Sequence, residues 1–431
     1  MHYPLTMRCA RFWLIVATLL CASAPTAAAY SVLSHEAAID VVWDSAIRPL
    51  LLRRFPKTSP EMLNEARSYA YGGSVIQDLG YYPFGNKFFS NLLHYVRSGD
   101  FVEALLRDAR DIDEYAFALG ALAHYTNDNT GHPEATNKAV PLIFPKLAKK
   151  LGDNITYVQA PKQHVIVEFS FDVVQAASGA YVSDAFKTFI GFRVATDLLE
   201  RGFRETYGLT MKELFGDHER AIATYRYAVS QIIPALTEAA WREKHDEIAK
   251  LNPKIDPNTF VLRYGRGDYE REYGANYQKP ALFARFLGFL YRLLPKVGPL
   301  KALAFKAPTP EVEAMFVQSF RDAAGRYRTA LADVADNRFD LRNTDFDTGR
   351  PARHGEYSLA DDTYRELLDT LAKRAFRDTP EPLRQNVLAF YGPAPAPASE
   401  QDHKHWKSVQ RALSAISQTP TAERATAAPP R

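Results

Sequence analysis

Apolar residues along most of the chain recur at three- and four-residue spacing, the pattern of helices that bury one face. Ala37, Ala38, Val41, Val42, Ile47 and Leu50 form such a stripe, with Ser34 standing where an N-cap hydroxyl would open it. Ser59-Pro60 and Gly72-Gly73 bracket a second helix, Pro where a missing N–H is harmless and Gly where a left-handed cap is wanted. The same reading predicts helices over 86–97, 101–128, 138–150, 161–177, 183–206, 217–249, 281–294, 310–335, 358–376 and 400–416. Alternating patterns are scarce, and a single short strand is expected near Thr259 to Arg263. The chain therefore reads as all-α, a multi-helix bundle.

The pattern breaks at Leu251 to Asn258, where two prolines interrupt a polar stretch, and at Asp336 to Tyr357, which has no period. Both are candidate seams. Tyr391 to Ser399 is rich in Pro and Ala, and the last dozen residues have the composition of a disordered tail. The amino-terminal segment has a different order: Arg8 and Arg11, the apolar run Phe12 to Ala22, then Ala27-Ala28-Ala29. Charge, grease and small residues in that order predict a secretory signal cleaved after Ala29. The run is about half of the ~20 residues a spanning helix needs.

Cleavage at that point removes Cys9 and Cys21, the two cysteines of the sequence, so the exported chain holds itself together without disulfides. Loss of Arg8 and Arg11 lowers the formal charge from +3 to +1. Neither that balance nor any long run of Lys and Arg points to a dedicated nucleic-acid surface. Ala281 to Phe305 interleaves apolar residues with Arg285, Arg292, Lys296 and Lys301, which suits a lipid surface or, preferably, a buried helical hairpin.

The chemistry concentrates early. Of eleven histidines, five (His35, His94, His124, His132 and His164) fall within 130 residues, among carboxylates. His124, Asp128 and His132 recur every four residues, so on a helix they share a face that drifts by about 40° per step. His164 and Glu168 repeat that spacing. Two such helices can aim their side chains at one cavity. Neutral imidazole and carboxylate together suit Zn²⁺, and a carboxylate can bridge two ions. Any one of these histidines is more readily a buried core imidazole; the set at these spacings points to metal. Asp78 follows Gly72-Gly73 at an expected helix end, and His94 lies in the expected helix over 86–97.

This order of residues resembles bacterial zinc-dependent phospholipase C, and the zinc nucleases that cut single-stranded nucleic acid share it. The resemblance covers about Tyr30 to Phe203. It implies a bundle built around a trinuclear zinc site, three Zn²⁺ per chain, in which the amine and carbonyl of the first mature residue form a chelate. Carried over by position, Asp78, His94, His124 and Asp128 would hold one zinc. Tyr30, His35 and the shared Asp128 would hold a second, and His132, His164 and Glu168 a third. Asp78 would also act as catalytic base. Domains then follow as signal peptide over 1–29, the phospholipase-like domain over 30–209, a helical carboxyl-terminal extension over 210–392 and a flexible tail over 393–431.

The sequence departs from the family at three points. Tyr30 stands where the family has Trp, which leaves a backbone chelate intact. His132 lies four residues after Asp128 rather than six, and Glu134 takes the sixth position, so either is a candidate ligand; His132 is preferred, with Pro133 bending the backbone between them. Leu33 stands where the family places an acidic residue beside choline, so choline preference does not carry over. Tyr71, Tyr81, Tyr82, Phe84, Phe88 and Phe89 can form an aromatic cage for a quaternary ammonium or a stacking platform, with core packing the default.

The expected function is that of an exported, periplasmic or secreted, phosphodiester hydrolase acting through zinc-activated water. Its partners would be phospholipid head groups or a membrane surface, with nucleic acid the less favoured substrate. The alternatives are a secreted zinc nuclease and a non-catalytic zinc-binding protein. Glu168, where the nucleases have Asp, and the absence of cysteines from the mature chain lean toward the lipase.

Overall fold

The computed structural model of the protein describes residues 31–178, 192–229, 233–251, 305–392 and 400–419. Tyr30, the expected strand near Thr259 to Arg263 and the stretch from Ala281 as far as residue 304 lie outside them. The described residues are helical almost throughout, so the protein is all-α. Among them, strand is confined to a hairpin of β1 (Thr344–Asp345) and β2 (Arg350–Pro351), with Thr344 opposite Pro351. No helix among the described residues is long and apolar enough to cross a membrane.

The bundle begins with α1 (Val32–Val42), which runs through a wide π-type turn at Trp43–Ile47 into α2 (Arg48–Arg54). The start of α1 differs from the sequence expectation. Ser31 occupies the cap position, and the first-turn N–H groups of Leu33 and Ser34 donate to the Asp172 carboxylate at 2.9 and 3.1 Å. A carboxylate from another helix thus replaces the local Ser34 cap, and the Ser34 hydroxyl itself donates to Asp172 at 2.6 Å.

Helix α3 (Pro60–Val75) is opened as predicted, with the Ser59 hydroxyl accepting from Met62 N and Pro60 in the first turn. It does not end at Gly72-Gly73. Both glycines are helical and buried, because neighbouring backbone runs where a side chain would sit. A Cβ on Gly72 would stand 1.7 Å from the Arg193 carbonyl oxygen, and one on Gly73 would stand 1.9 Å from that of Phe117. These glycines serve close packing rather than chain reversal. A tight 3₁₀ turn over Ile76–Tyr81 follows and carries Asp78.

Helix α4 (Lys87–Tyr95) is capped by Asn86. The single helix expected over 101–128 is two, α5 (Ser98–Asp108) and α6 (Ile112–Gly131), because the Asp111 carboxylate accepts from Glu114 N and starts a new helix. Helix α6 is central and pairs closely with α3 along its length. Gly120 lets the two backbones touch: a Cβ there would lie 2.1 Å from the Ala70 carbonyl oxygen. At Pro133 the chain does not break; it widens into a π-type turn over His132–Thr136 and continues as α7 (Asn137–Ile143). Helices α8 (Pro145–Leu151) and α9 (Pro161–Ala177) follow, the first split from α7 at Phe144.

Beyond them come α10 (Thr196–Tyr207), α11 (Met211–Phe215), α12 (His218–Tyr227), α13 (Ile233–Leu251), α14 (Pro310–Ala335), α15 (Ser358–Lys373), α16 (Glu381–Tyr391) and α17 (Glu400–Gln418). Packing does not divide at residue 209. Helix α14 lies along α6, Tyr327 donates to the Leu119 carbonyl at 2.8 Å, and one apolar cluster runs from Val32 through Tyr364 to Ile416. The stretch Asp336 to Tyr357 is not an open seam. It folds against the amino-terminal helices, with Thr344 N bonded to Ser98 Oγ at 3.1 Å and Phe346 N to the His94 carbonyl at 3.2 Å.

Candidate metal centre

Four amino-terminal elements meet at Asp128. Helix α6 presents His124 and Asp128 on one face, α1 presents His35, α4 presents His94, and the 3₁₀ turn after α3 presents Asp78. All five side chains are buried to 3% exposure or less. Asp128 Oδ1 lies 3.3 Å from His35 Nε2, while Oδ2 lies 3.1 Å from His124 Nε2 and 3.5 Å from His94 Nε2. Asp78 Oδ1 lies 3.4 Å from His94 Nε2. Donor atoms of His35, His124 and Asp128 cluster closely enough to hold one ion, and those of Asp78, His94 and His124 a second. His124 is within reach of both positions.

Hydrogen bonds on the outer ring nitrogens fix which atoms face inward. His94 Nδ1 is 2.8 Å from the Ser90 carbonyl and His124 Nδ1 is 2.9 Å from that of Ser74, so both Nδ1 atoms carry the proton. Their Nε2 atoms then face each other at 3.5 Å with lone pairs converging. That arrangement requires a cation or an added proton between them. In the metal-free chain a proton fills the need. Burial opposes a charge on His94, but the nearby Asp128 and Asp78 carboxylates outweigh it and raise the imidazole to about 10. Burial likewise pushes Asp128 up, yet His124 and His35 overcome it and hold the carboxyl well below the usual range. His35 is lowered, by burial first and His124 second.

A second cluster lies along α9 and the π-type turn. His132, His164 and Glu168, all buried, place donor atoms together, with His164 Nδ1 3.7 Å from Glu168 Oε1. His164 Nε2 donates to the Ile155 carbonyl at 2.6 Å, leaving Nδ1 inward. Burial, and then the neighbouring His132, lower His164 to about 3, so it is neutral and ready to ligate. Glu134, the alternative to His132, turns outward and its carboxylate accepts from Arg326 at 2.5 Å. The wide turn at Pro133 puts residue 132 toward the cluster and residue 134 toward solvent.

Both Asp128 oxygens, Asp78 Oδ1, His132 Nδ1 and His164 Nδ1 are buried and have no hydrogen-bond partner. Leaving this many polar atoms unsatisfied costs roughly 1–3 kcal/mol apiece. Together with an all-imidazole and carboxylate donor set, they fit a divalent metal such as zinc. Of the residues expected at the centre, all but Tyr30 converge, and Tyr30 is outside the described residues.

Sequence reading missed the carboxyl-terminal contribution. The Phe346 ring sits 5.1 Å from that of His94 and 6.1 Å from that of His124, and Asp347 Oδ1 is 3.2 Å from His132 Nε2. The nearest signal was compositional, two aspartates around Phe346 in an aperiodic stretch. The suggested aromatic cage mostly dissolves into core: Tyr71, Tyr81, Phe88 and Phe89 are buried, and Phe84 is exposed.

Helical elements thus bring imidazole and carboxylate together in buried groups that could hold metal ions. Residues 35–217, the segment that holds every described ligand candidate, match the family model for zinc dependent phospholipase C. No curated protein and no solved structure matches the chain.

Proposed function

We propose that this protein is an exported phospholipase C that binds three zinc ions and hydrolyses the glycerol-side P–O bond of a phospholipid. The observation that carries the reading is the coincidence of the family segment with the buried donor clusters around Asp128 and around His132. Asp78, His94, His124 and Asp128 would hold one zinc, Tyr30, His35 and Asp128 a second, and His132, His164 and Glu168 a third. Bound zinc supplies a Lewis acid for the phosphoryl oxygens and acidifies water toward neutrality.

The protein's own groups do the rest. Asp78 Oδ1, buried and without a hydrogen-bond donor, can accept the proton of an attacking water. The outer hydrogen bonds to Ser74, Ser90 and Ile155 hold three imidazoles in fixed tautomers, so the centre needs little reorganisation when substrate arrives. Export rests on the Arg8 to Ala29 segment, and cleavage there would free the Tyr30 amine for its zinc.

The test is zinc-loaded protein assayed in parallel against phospholipid vesicles and single-stranded DNA. Release of phosphorylated head groups is the expected result. Cleavage of DNA alone would replace the lipase with a nuclease, and a single tightly held zinc with neither activity would make this a binding protein. Sequencing the amino terminus of the exported chain should begin at Tyr30.

A further inference from the structure

We infer that Asp347, from the carboxyl-terminal hairpin outside the family segment, is the positioning residue that makes His132 a metal ligand. The inference rests on the zinc reading above. Each inward-facing histidine needs its other nitrogen held: His94, His124 and His164 use the carbonyls of Ser90, Ser74 and Ile155. His132 has no such carbonyl. Its Nε2 meets Asp347 Oδ1 at 3.2 Å, while Nδ1 is buried and without a hydrogen-bond partner, and the residue offers a donor atom to the cluster with His164 and Glu168. A carboxylate there keeps the proton on Nε2 and the lone pair on Nδ1, and it makes the imidazole a stronger donor to metal than a carbonyl would.

Asp347 is itself held for this task. It is 1% exposed, its Oδ2 accepts from Tyr95 Oη at 2.9 Å and from Tyr357 Oη, and its backbone carbonyl accepts from Asn137 Nδ2 at 2.7 Å. With both hydroxyls on Oδ2, Oδ1 is committed to His132. Tyr95 comes from α4 and Asn137 from the start of α7, so two elements of the family segment hold Asp347, one at its carboxylate and one at its backbone. The carboxyl-terminal part of the chain therefore completes the His132 position.

The experiment measures zinc per chain and its affinity by competition with a chelator, in the full-length protein and in Asp347→Asn, His132→Ala and the double variant. Expected is a 10- to 100-fold weaker affinity for one zinc in Asp347→Asn. The other zincs and the apo melting temperature should stay as in the parent. In the His132→Ala background Asp347→Asn should change zinc affinity no further. Tyr357→Phe, which keeps the carboxylate and removes one of its donors, should weaken the same zinc less, and it carries the test if Asp347→Asn does not fold. Additive losses in the double variant, an equal loss of every zinc in a folded variant, or unchanged affinity would each overturn the role of Asp347. A parent protein that takes up no zinc at His132 would instead overturn the zinc reading.

Discussion

His35 and His124 stack face to face, ring centroids 4.3 Å apart and planes 10° from parallel, with each Nε2 turned to a different oxygen of Asp128. One carboxylate thus meets two neighbouring imidazoles through separate oxygens, as the bridging role proposed for it requires.

Asp128→Asn should therefore cost two zincs together, lowering the content from three per chain to one. An amide keeps one weak oxygen donor and cannot balance two cations. Metal analysis after dialysis reads the result; loss of a single zinc would show that Asp128 serves one position only.

Residues 132 and 134 should separate cleanly. His132→Ala should lose one zinc and most hydrolytic activity. Glu134→Ala should keep all zinc and change stability by no more than about 1 kcal/mol, because its partner Arg326 is 55% exposed and surface ion pairs contribute little. Zinc content and thermal melts of both variants check this.

Close approach of α3 and α6 predicts that small substitutions at their glycines will be costly. Gly73→Ala or Gly120→Ala should destabilise the protein by about 3 kcal/mol, as backbone atoms on both sides resist an added methyl. Gly325→Ala, exposed in α14 with nothing near its Cβ position, should instead stabilise by about 0.5–1 kcal/mol through helix propensity. Equal responses in urea melts would contradict this account of the packing.

The charged His94 predicts a pH signature. Its imidazole is raised to about 10 in the metal-free chain, above the ordinary 6.5, by carboxylates that overcome burial. Its contribution to apo stability is then fully present below 6.5 and lost as pH rises through about 10. Zinc must displace this proton. At pH 9, where an amino-terminal amine is already largely neutral, zinc titrations in buffers of different ionisation heat should report about one proton from His94 beyond that lost by zinc-bound water. His94→Ala should release about one proton fewer than the parent, while the proton lost from zinc-bound water is common to both.

Much of the fold was legible because helical periodicity is a local property. The predicted span 161–177 matches Pro161–Ala177, and 310–335 matches Pro310–Ala335. Errors arose where a distant group replaced a local signal. Asp172 caps α1 in place of Ser34, and Gly72-Gly73 read as a stop because nothing in sequence announces the backbones of Arg193 and Phe117 beside them.

His124 with Asp128, and His164 with Glu168, were determined by sequence alone, since a four-residue step on a helix puts two side chains on one face whatever surrounds them. Tertiary structure decided the rest. It split the run at residue 132, turning His124 and Asp128 to one cluster and His132 to the other through a wide turn at Pro133. It also brought Asp347 onto His132 from a stretch without any period. Spacing carries angular information only along one continuous helix; which side chains meet across helices depends on backbone approach and buried hydrogen bonds between segments far apart in the chain.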